Sequence, residues 1–360
     1  QGYRAALLNT VVSGPFAATL ADAGMTVVAL VHELPRLIEA RGLAAHARTI
    51  AEHARRVVFA ADEVRAGFEQ FAPLRPGQAV IRPQGLYQRN PLADPQLQPQ
   101  ARADLREHLG LPGDAEVVLG VGFGDRRKGI DLFVAMGCAV MRARPAAHCV
   151  WVGDVDATLR DGLMAEVRDS GLAPRFHFPG WQDDTGLYYA GADVYALTSR
   201  EDPFPSVVLE ALHVGVPVVA FAGGGGYVRL ADSGCVQLVP DVDPDAFAAA
   251  VVRLLADADQ RERLAADARA LVRRAYGFQR YVYDLLALLP VPTKRVSVVI
   301  PNYNYKHYLP ARLASVAAQT WPTYEPIVLA DGSSDGRGEW LARALPESLP
   351  ESTLLAGDTN

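Results

Sequence analysis

Short runs of apolar residues alternate along the chain with longer segments in which apolar and polar positions recur at helical spacing. In the first part of the chain this pattern predicts strands over Tyr3–Leu8, Met25–His32 and Arg56–Ala60, with helices over Gly14–Ala23 and Leu34–Arg55. Strands and helices that alternate in this way form parallel sheets with helices on their faces. The pattern therefore predicts an α/β domain, of which this part supplies about half.

The chain opens on Gln1, without an initiator methionine, and already has strand character at Tyr3. We therefore expect the first strands of this domain to precede the sequence.

A second α/β domain follows the polar, proline-containing segment Asn90–Gln100, which is typical of a linker or loop. A long helical region, Pro244–Ala275, begins with an aspartate N-cap and a proline at the first helical position, and Gly277–Leu289 predicts one more helix. We expect twin Rossmann-like domains over residues 1–96 and 97–276, the first incomplete. The predicted strands of the second are Glu116–Val121, His148–Val152, Arg175–Phe178, Val194–Leu197 and Pro217–Phe221.

The third part of the chain starts after a proline-rich break, which we assign as a linker over residues 290–295. Val296–Asn304 predicts a strand ending in a polar, aromatic loop. A helix through Leu313–Gln319 and an apolar run leading into Asp331 follow. Residues 296–360 are therefore expected to form part of a further α/β unit.

Composition fits a multidomain protein and argues against a nucleic-acid partner. The 360 residues are 50% apolar, which can fill two or three cores at about 100–200 residues per domain. The formal net charge is −6 at pH 7, whereas affinity for a nucleic-acid backbone needs a basic face. Small anionic ligands remain compatible with this charge through local basic groups.

The cysteines and the hydropathy pattern indicate a reducing, cytoplasmic location. Cys138, Cys149 and Cys235 are odd in number and widely spaced, so they indicate neither a disulfide framework nor a zinc cluster. No stretch approaches about 18 uninterrupted apolar residues, so no membrane-spanning helix is predicted. Peripheral contact with the inner face of a membrane stays open. The arginines at 36, 41, 48, 55 and 56 face anionic lipid or, as the simpler interpretation, solvent.

The most informative segment is a proline-rich loop that becomes a helix. Asp202 and Glu210 lie eight positions apart on it. Pro203 and Pro205 disfavour helix before Ser206, which is a good N-cap. We therefore expect a helix from Ser206, whose free N–H groups and positive dipole end suit a diphosphate. The two carboxylates can then accept hydrogen bonds from separate hydroxyl-bearing parts of one extended ligand.

A second phosphate-type signal follows the predicted strand Glu116–Val121. Gly122 and Gly124 allow the backbone to approach a ligand closely, and Arg127 and Lys128 can neutralise a diphosphate without a metal. A solvated basic turn is the alternative interpretation of this loop on its own. Together with the carboxylate segment, the loop predicts a sugar-nucleotide site.

These residues resemble the retaining glycosyltransferases of family 4, which have the two-domain GT-B fold. The family's Glu-x7-Glu signature is matched by Asp202 and Glu210, and its Gly-Arg…Lys-Gly loop by Lys128, with Phe123 in place of the arginine. The resemblance implies that Asp202 lies by the donor sugar, that Glu210 holds the ribose, and that Lys128 with an adjacent arginine binds the diphosphate. Glu201, one residue out of register, is a competing candidate for the first acid. The resemblance also assigns a donor-binding set: Arg127 or Arg126, Gly122, Gly124, Phe204, Ser206 and Val207.

His32 ends a predicted strand, where an α/β sheet presents ligand groups at its carboxyl edge. Family 4 enzymes often have an active-site histidine after a comparable strand, so the resemblance makes His32 a catalytic candidate beside Asp202 and Lys128. A histidine that caps or packs a strand end is the alternative. Asn9–Thr10 and Ser13–Gly14 follow the preceding strand, where they contact acceptor or donor or act as ordinary turn and cap residues.

Several other motifs have simpler interpretations. Gly223–Gly226 either admits the donor sugar closely or forms a plain flexible turn. Trp181 resembles part of a family loop, but surface packing is the favoured interpretation. Metal-type Asp-x-Asp triplets lie in strand-exit loops of the wrong fold for that chemistry, so we expect no metal and no cofactor beyond the co-substrate. These triplets are Asp154–Asp156, Asp241–Asp243 and Asp243–Asp245.

The third part resembles the first half of a family 2 glycosyltransferase of GT-A fold, whose strand-end loop and Asp-Asp-Gly-Ser segment clasp the nucleotide base. The resemblance makes Asn302 and Asp331 nucleotide-binding candidates, with Ala330 in place of the first aspartate. The segment ends before any catalytic base of that family, so alone it is expected to be inactive. For residues 277–289, the family 4 resemblance implies a helix that returns to the first domain.

The combined expectation is a glycosyltransferase. It would move a sugar from a nucleoside-diphosphate sugar to a glycan or lipid-linked acceptor, with retention of configuration, in cell-surface polysaccharide synthesis. Negative charge grows on the departing phosphate, and Lys128, an adjacent arginine and the helix N-terminus are expected to stabilise it. The alternatives are a non-catalytic sugar-nucleotide-binding or scaffold module and a sugar-nucleotide epimerase of GT-B fold.

Overall fold

A computed structural model describes residues 3–290, 296–302, 306–317, 324–331, 340–341, 343–345, 349 and 352–357. The chain divides into two compact units, Gln1–Tyr276 and Gly277–Asn360. Within the described residues, no helix combines the length and the hydropathy needed to cross a bilayer.

The first unit begins with a four-stranded parallel sheet in the order β1-β2-β3-β4. Its buried aliphatic and aromatic side chains form one core with the helices that follow each strand. The strands are β1 (Ala5–Asn9), β2 (Thr26–Val31), β3 (Arg56–Phe59) and β4 (Ala79–Ile81). The helices are α1 (Pro15–Asp22), α2 (Pro35–Ala40), α3 (Ala44–His53) and α4 (Asp62–Glu69).

A six-stranded parallel sheet follows in the order β10-β9-β8-β5-β6-β7. Its strands are β5 (Glu116–Val121), β6 (Ala147–Val152), β7 (Phe176–Gly180), β8 (Val194–Leu197), β9 (Val218–Phe221) and β10 (Val236–Val239). Its helices are α5 (Gln98–Leu109), α6 (Ile130–Ala143), α7 (Ala157–Asp169), α8 (Gly186–Gly191), α9 (Ser206–Val214), α10 (Pro244–Ala256) and α11 (Ala258–Ala275).

Alternation along the strands gives the six-stranded sheet two cores. Val117 and Leu119 pack into the core on one face, whereas Val118 packs into the core on the other, because successive strand residues point to opposite faces. The helices cover both faces, so the strands are apolar throughout. This accounts for the continuous apolar runs by which the sequence predicted them.

The strand order creates a switch point between β5 and β8. The chain proceeds from β5 outward to β6 and β7, and then returns to β8 on the other side of β5. In open α/β sheets, ligands bind outside the carboxyl ends of the strands at such a point. The loops that leave β5 and β8 therefore frame the expected site.

Two predicted helical segments are each divided in the structure. The helix expected over Leu34–Arg55 is two helices, α2 and α3, separated by a turn in which Gly42 has φ +64°. The region Pro244–Ala275 breaks at Asp257, whose Oδ1 accepts a 2.8 Å bond from the Gln260 N–H and so starts α11. Side-chain capping and left-handed glycine override an apolar period that continues through the break.

A buried ion pair fastens α5 to the start of β8. Arg106 Nη2 lies 2.6 Å from Asp193 Oδ2, which also accepts a 2.8 Å bond from the Val117 N–H. The same guanidinium donates to the carbonyls of Ala115 and Gly191. Both partners are satisfied by these contacts, as a buried charge requires.

The second unit contains α12 (Phe278–Leu286) and a three-stranded parallel sheet in the order β11-β12-β13. The strands are β11 (Val296–Asn302), β12 (Tyr324–Asp331) and β13 (Thr353–Gly357), and α13 is Leu309–Ala317. Asn302 ends β11 opposite Ala330, one residue before Asp331 ends β12. The backbone thus brings both nucleotide-binding candidates to one sheet edge. Residues 291–295 of the predicted linker, and residues 332–334 of the Asp-Gly-Ser segment, lie outside the described residues.

Candidate functional site

A cavity of about 420 Å³ opens in the first unit at the carboxyl ends of its two sheets. The loops after β1, β2 and β3 contribute one wall, and the loops after β5 and β8 contribute the other. Among the described residues, the lining is Asn9, His32, Ala60, Gln84, Lys128, Asp202, Pro203, Phe204, Pro205 and Ser206. The cavity therefore brings together His32, Lys128, Asp202, Phe204 and Ser206 from the sites that the sequence predicted.

An ion pair between Lys128 and Asp202 occupies the wall formed by the second sheet. The Lys128 ammonium donates a hydrogen bond to Asp202 Oδ2. Asp202 is only 4% exposed, so its carboxylate is largely removed from solvent although it borders the cavity. The competing acid Glu201 is not among the lining residues, which favours Asp202 as the first acid of the pair.

Lys128 is positioned by a close approach of two loops. Its backbone N–H donates to Asp125 Oδ1 at 2.6 Å. The next residue, Gly129, has φ +73°, and a Cβ there would fall 2.0 Å from the Thr198 carbonyl oxygen. Thr198 Oγ1 in turn donates to the Gly129 carbonyl at 2.9 Å. Only glycine fits this contact between the β5 and β8 loops, and the contact fixes where the lysine side chain begins.

Asp202 is supported by the four-glycine loop. Its N–H donates to the Gly224 carbonyl at 2.6 Å. Gly225 has φ +141°, and a Cβ there would lie 1.7 Å from the Asp202 carbonyl oxygen. The Gly226 N–H donates to the Pro203 carbonyl at 3.0 Å. Of the two interpretations of this loop, a plain flexible turn does not account for these contacts, since the glycines permit a tight backbone contact beneath the first acid. Close approach of the donor sugar to this loop stays a prediction.

Helix α9 begins at Ser206, as predicted, but Ser206 is not its N-cap. The N-cap position belongs to Pro205, which is extended and whose carbonyl accepts a 3.2 Å bond from the Val208 N–H. Proline is placed here because its fixed φ suits the extended residue before a helix. Ser206 is thus free to line the cavity, and the positive end of the helix dipole lies at the cavity wall. Val207 packs instead against the core.

Glu210 lies one helical turn beyond Ser206 on the same face of α9, outside the cavity lining. Burial raises the pKa of the Glu210 carboxyl, and the Tyr189 hydroxyl opposes this rise only in part. Tyr189 stacks on Tyr195, with ring centroids 5.9 Å apart. Burial is the main cause that raises the pKa of both phenols. Tyr195 and then Glu210 add to the rise at Tyr189, and Glu210 adds to the rise at Tyr195. The second acid is thus half-buried beside two buried phenols.

The other predicted diphosphate residues lie outside the cavity lining. Arg127 is exposed, and its Nη1 donates to the Glu201 carbonyl at 3.1 Å, so it braces the β8 loop. Arg126 lies near Asp131, at 3.8 Å. The basic group that the fold delivers to the cavity is Lys128.

The glycines after β5 make close contacts with the β6 loop. A Cβ on Gly153 would lie 2.2 Å from the Gly122 carbonyl oxygen, and the Gly124 N–H donates to the Asp154 carbonyl at 2.8 Å. Between them Phe123 is 52% exposed. Packing already accounts for these glycines, and a donor-binding role for Gly122 and Gly124 stays a prediction.

His32 faces the cavity from the first sheet. Its Nε2 lies 2.8 Å from Asn9 Oδ1, which accepts the hydrogen bond. Burial lowers the pKa of His32, and the charge of Glu33 opposes this shift. A pKa below its usual value of about 6.5 leaves the ring neutral near pH 7, so it can orient a hydroxyl group but carries no charge for a phosphate.

Glu33 and Gln84 have roles at the site that no sequence motif indicated. Glu33 is 7% exposed and accepts from the Val11 and His32 N–H groups, each at 3.1 Å, and from the Thr10 hydroxyl. It ties together the ends of β1 and β2. Its position close after an apolar strand could have indicated a role at the carboxyl edge of the sheet. Gln84 follows β4, which the hydropathy pattern did not predict, so it carried no signal.

The remaining motifs have structural roles. Asp156 caps α7 through the Thr158 N–H at 2.8 Å, and Asp243 caps α10 through the Asp245 N–H at 2.9 Å. Ser13 Oγ donates to the Thr10 carbonyl at 2.7 Å, which is ordinary turn chemistry. In the part of the chain that the structure describes, no group of three or more His, Cys, Asp or Glu side chains is placed to hold a metal ion.

Family models match two segments of the sequence. Residues 115–257 match "Glycosyl transferases group 1", and residues 297–353 match "Glycosyl transferase family 2". The first segment contains both loops of the ion pair and all of α9. Residues 115–257 thus match a group 1 glycosyltransferase domain and residues 297–353 match part of a family 2 glycosyltransferase domain, and the fold of the first unit is GT-B.

Curated relatives are glycosyltransferases. The lipopolysaccharide core biosynthesis glycosyltransferase LpsE of Rhizobium meliloti is 34% identical over 160 residues, which are 44% of this chain and 45% of that protein. A D-inositol 3-phosphate glycosyltransferase of Xylanimonas cellulosilytica is 35% identical over 199 residues, 54% of this chain and 47% of that protein. The chain therefore spans about half the length of these relatives.

Solved structures share the fold. HepE of Anabaena in complex with UDP superposes with a TM-score of 0.70 at 21% identity, over 80% of this chain and 79% of that one. Sucrose-phosphate synthase of Thermosynechococcus elongatus superposes with a TM-score of 0.66 at 25% identity, covering 80% and 73%. HepE has also been solved with UDP-glucose.

Proposed function

We propose that the protein is a glycosyltransferase that transfers a sugar from a nucleoside-diphosphate sugar, with retention of configuration. The observation that carries this proposal is the convergence of the Lys128 ammonium, the Asp202 carboxylate and the N-terminus of α9 on one cavity at the switch point of the sheet. A single ligand with a diphosphate next to hydroxyl groups complements all three. The relatives and the solved neighbours with UDP support this class of donor.

Stabilisation of the leaving group is the main electrostatic task of the site. As the glycosidic bond breaks, negative charge grows on the departing phosphate. Once the donor is bound, Lys128 and the positive end of α9 lie beside the phosphate on which this charge grows, so they stabilise it as the bond breaks. We propose that no metal takes part at this site.

The remaining roles divide between the two walls of the cavity. Asp202 accepts hydrogen bonds from the donor sugar, and Glu210, one turn along α9, accepts from the ribose hydroxyls. His32, neutral and oriented by Asn9, contacts a sugar hydroxyl or the acceptor from the first sheet. Retention of configuration rests on the resemblance to family 4 at Asp202, Glu210 and Lys128.

For the acceptor, we propose a glycan or a lipid-linked glycan in cell-surface polysaccharide synthesis at the cytoplasmic side of a membrane. The name of LpsE, with its role in lipopolysaccharide core biosynthesis, supports this class. The adjoining family 2 segment is consistent with a protein that builds a glycan by two transfer steps.

The test is sugar-nucleotide turnover by the protein with Lys128→Ala or Glu210→Ala. We expect Lys128→Ala to lower kcat/KM by about 10²–10³-fold, the usual effect of removing one transition-state donor. Glu210→Ala should raise the KM for the donor by about tenfold, because it removes one charged hydrogen-bond acceptor. Product analysis should show the retained anomer.

Arg127→Ala and Glu201→Ala are the matched controls, since both residues lie beside the cavity lining, and each should change kcat/KM by less than about threefold. Full turnover by both Lys128→Ala and Glu210→Ala contradicts the assignment. Donor binding without transfer or hydrolysis in the wild-type protein supports a non-catalytic sugar-nucleotide-binding module instead.

A further inference from the structure

Lys128, the group proposed to bind the donor's diphosphate, is paired with an anion of the protein itself. Asp202 Oδ2 accepts directly from the Lys128 ammonium, and in the described part of the chain Lys128 is the only ion-pair partner of Asp202. Asp202 is nearly buried, and the Lys128 side chain is largely shielded. The inference below rests on the proposed function, since it concerns what the donor does to this pair.

Asp202 and a bound diphosphate compete for Lys128, because opening a shielded ion pair costs free energy. When one partner of a shielded ion pair leaves, the other remains as an uncompensated charge in a low-dielectric site, at considerable cost. When Lys128 binds a diphosphate instead, Asp202 therefore needs another hydrogen-bond donor. Ionised aspartate accepts hydrogen bonds and donates none, so sugar hydroxyls are suitable replacements for the ammonium.

Both backbones are held in place, so the exchange is confined to side chains. Asp202 is bound to Gly224 and contacts Gly225 at a distance that admits only glycine. Lys128 is held by Asp125 and by the glycine contact at Gly129. Rotation of the lysine and aspartate side chains within the cavity is the movement that these contacts allow.

We propose that Asp202 is an internal competitor of the donor diphosphate for the Lys128 ammonium. A nucleotide sugar opens the ion pair and satisfies both groups, the lysine by its diphosphate and the aspartate by its sugar hydroxyls. A nucleoside diphosphate satisfies only the lysine and leaves Asp202 without a partner. Re-formation of the ion pair therefore disfavours the product nucleotide and promotes its release, which makes Asp202 a residue that discriminates donor from product.

The test is calorimetric binding to the 360-residue chain of inorganic pyrophosphate and of UDP, GDP and ADP, none of which carries a sugar. We expect Asp202→Asn to bind pyrophosphate and the preferred nucleotide about tenfold more tightly than wild type, as coupling between close charges implies. Asp202→Ser provides a second neutral side chain should the first variant fold poorly. Glu201→Gln is the matched control, with the same change of charge one residue away, and should leave both affinities within about twofold.

A double-mutant cycle assigns the effect to the ion pair. In a Lys128→Gln background, Asp202→Asn should no longer tighten binding, because the competed-for ammonium is gone. Unchanged or weaker binding by Asp202→Asn and Asp202→Ser overturns the proposal, as does a gain in affinity that persists without Lys128.

Binding of pyrophosphate tests this proposal separately from the proposed function. If no nucleotide binds but pyrophosphate shows the predicted cycle, competition at Lys128 stands and the nucleotide-sugar function fails. If nucleotides bind with Lys128-dependent affinity but Asp202→Asn has no effect, only the competition fails.

Discussion

Gly225 shows how strictly a single position can be constrained by contacts outside its own loop. It forms an isolated parallel bridge with Asp202, and its φ of +141° lies where side chains rarely fit. The loop sequence alone is compatible with a flexible turn. The requirement for glycine arises because the backbone of the first acid passes directly over this Cα.

We predict that Gly225→Ala lowers the free energy of unfolding by about 3 kcal/mol, because the new Cβ clashes with backbone and the φ is unfavourable for alanine. Urea unfolding measures the effect. Gly223→Ala is the matched control, because a Cβ there meets nothing within 4 Å, and equal stability of the two variants would contradict the prediction.

Residue chemistry predicted the acids and the base of the site, but not the residues that hold them. Asp202, Glu210 and Lys128 were found because carboxylates and a lysine beside glycines and a helix start are typical of diphosphate ligands. Gln84, whose Nε2 donates to the Phe204 carbonyl at 2.7 Å, was not found. A glutamine in an irregular segment has no pattern of its own, and its partner is 120 residues away.

At the scale of elements, β6 and β7 are joined by a pair of histidines as well as by their backbones. His148 Nδ1 lies 3.1 Å from His177 Nε2, and His148 is 8% exposed. Burial, followed by the charges of His177, Arg175 and Arg106, lowers the pKa of His148 to about 4. Burial also lowers the pKa of His177. Both histidines are therefore neutral in the folded protein at pH 7, and protonation of His148 destabilises the folded state.

The direction of the pH effect follows from this pKa. Between pH 6.5 and pH 4 the unfolded His148 binds a proton that the folded one does not, so stability is constant above this window and falls as pH decreases through it. We predict that the free energy of unfolding is about 2 kcal/mol lower at pH 5 than at pH 7 from this residue. Urea unfolding of wild type and His148→Gln measures it. The variant should lose most of the difference, and an unchanged pH dependence would contradict the assignment.

Strands were predicted from the sequence where they are continuous apolar runs, and missed where they are short and only partly buried. Strands β5 and β8 match their predicted bounds because both are continuous apolar runs in a buried parallel sheet. Strands β4 and β10 were not predicted. β4 has only three half-buried residues, and β10 has only four residues, of which the two central ones are half-buried. Their strand conformation depends on pairing with β3 and β9.

At the scale of the first unit, the segment around Gln84 and Leu86 crosses between the two sheets. Gln84 binds the Phe204 carbonyl, and the Leu86 N–H donates to the Tyr276 carbonyl at 2.7 Å. Phe204 stacks on Tyr276 with ring centroids 6.0 Å apart. The Gln84–Phe204 bond joins the two walls of the cavity, since both residues line it.

We predict that Gln84→Ala lowers the free energy of unfolding by about 1 kcal/mol, the typical value for one hydrogen bond. It should raise the Kd for the preferred nucleoside diphosphate by about threefold, because the Phe204 loop loses an anchor at the cavity wall. Urea unfolding and calorimetry provide the measurements. Gln96→Ala, at an exposed glutamine, is the control, and equal nucleotide affinity in the two variants would argue against a role for Gln84 in the cavity.

The sequence by itself determined the α/β class, the start of α9 at Ser206, and the residue types from which a diphosphate site is built. These depend on local rules, such as apolar periodicity, proline geometry and the chemistry of side chains near a helix N-terminus. Only the tertiary structure decided that Lys128 and Asp202, 74 residues apart, form an ion pair, and that Arg127 lies outside the cavity lining. Which loops meet depends on β5 lying beside β8, and that strand order is set by packing of the whole sheet, which no short segment encodes.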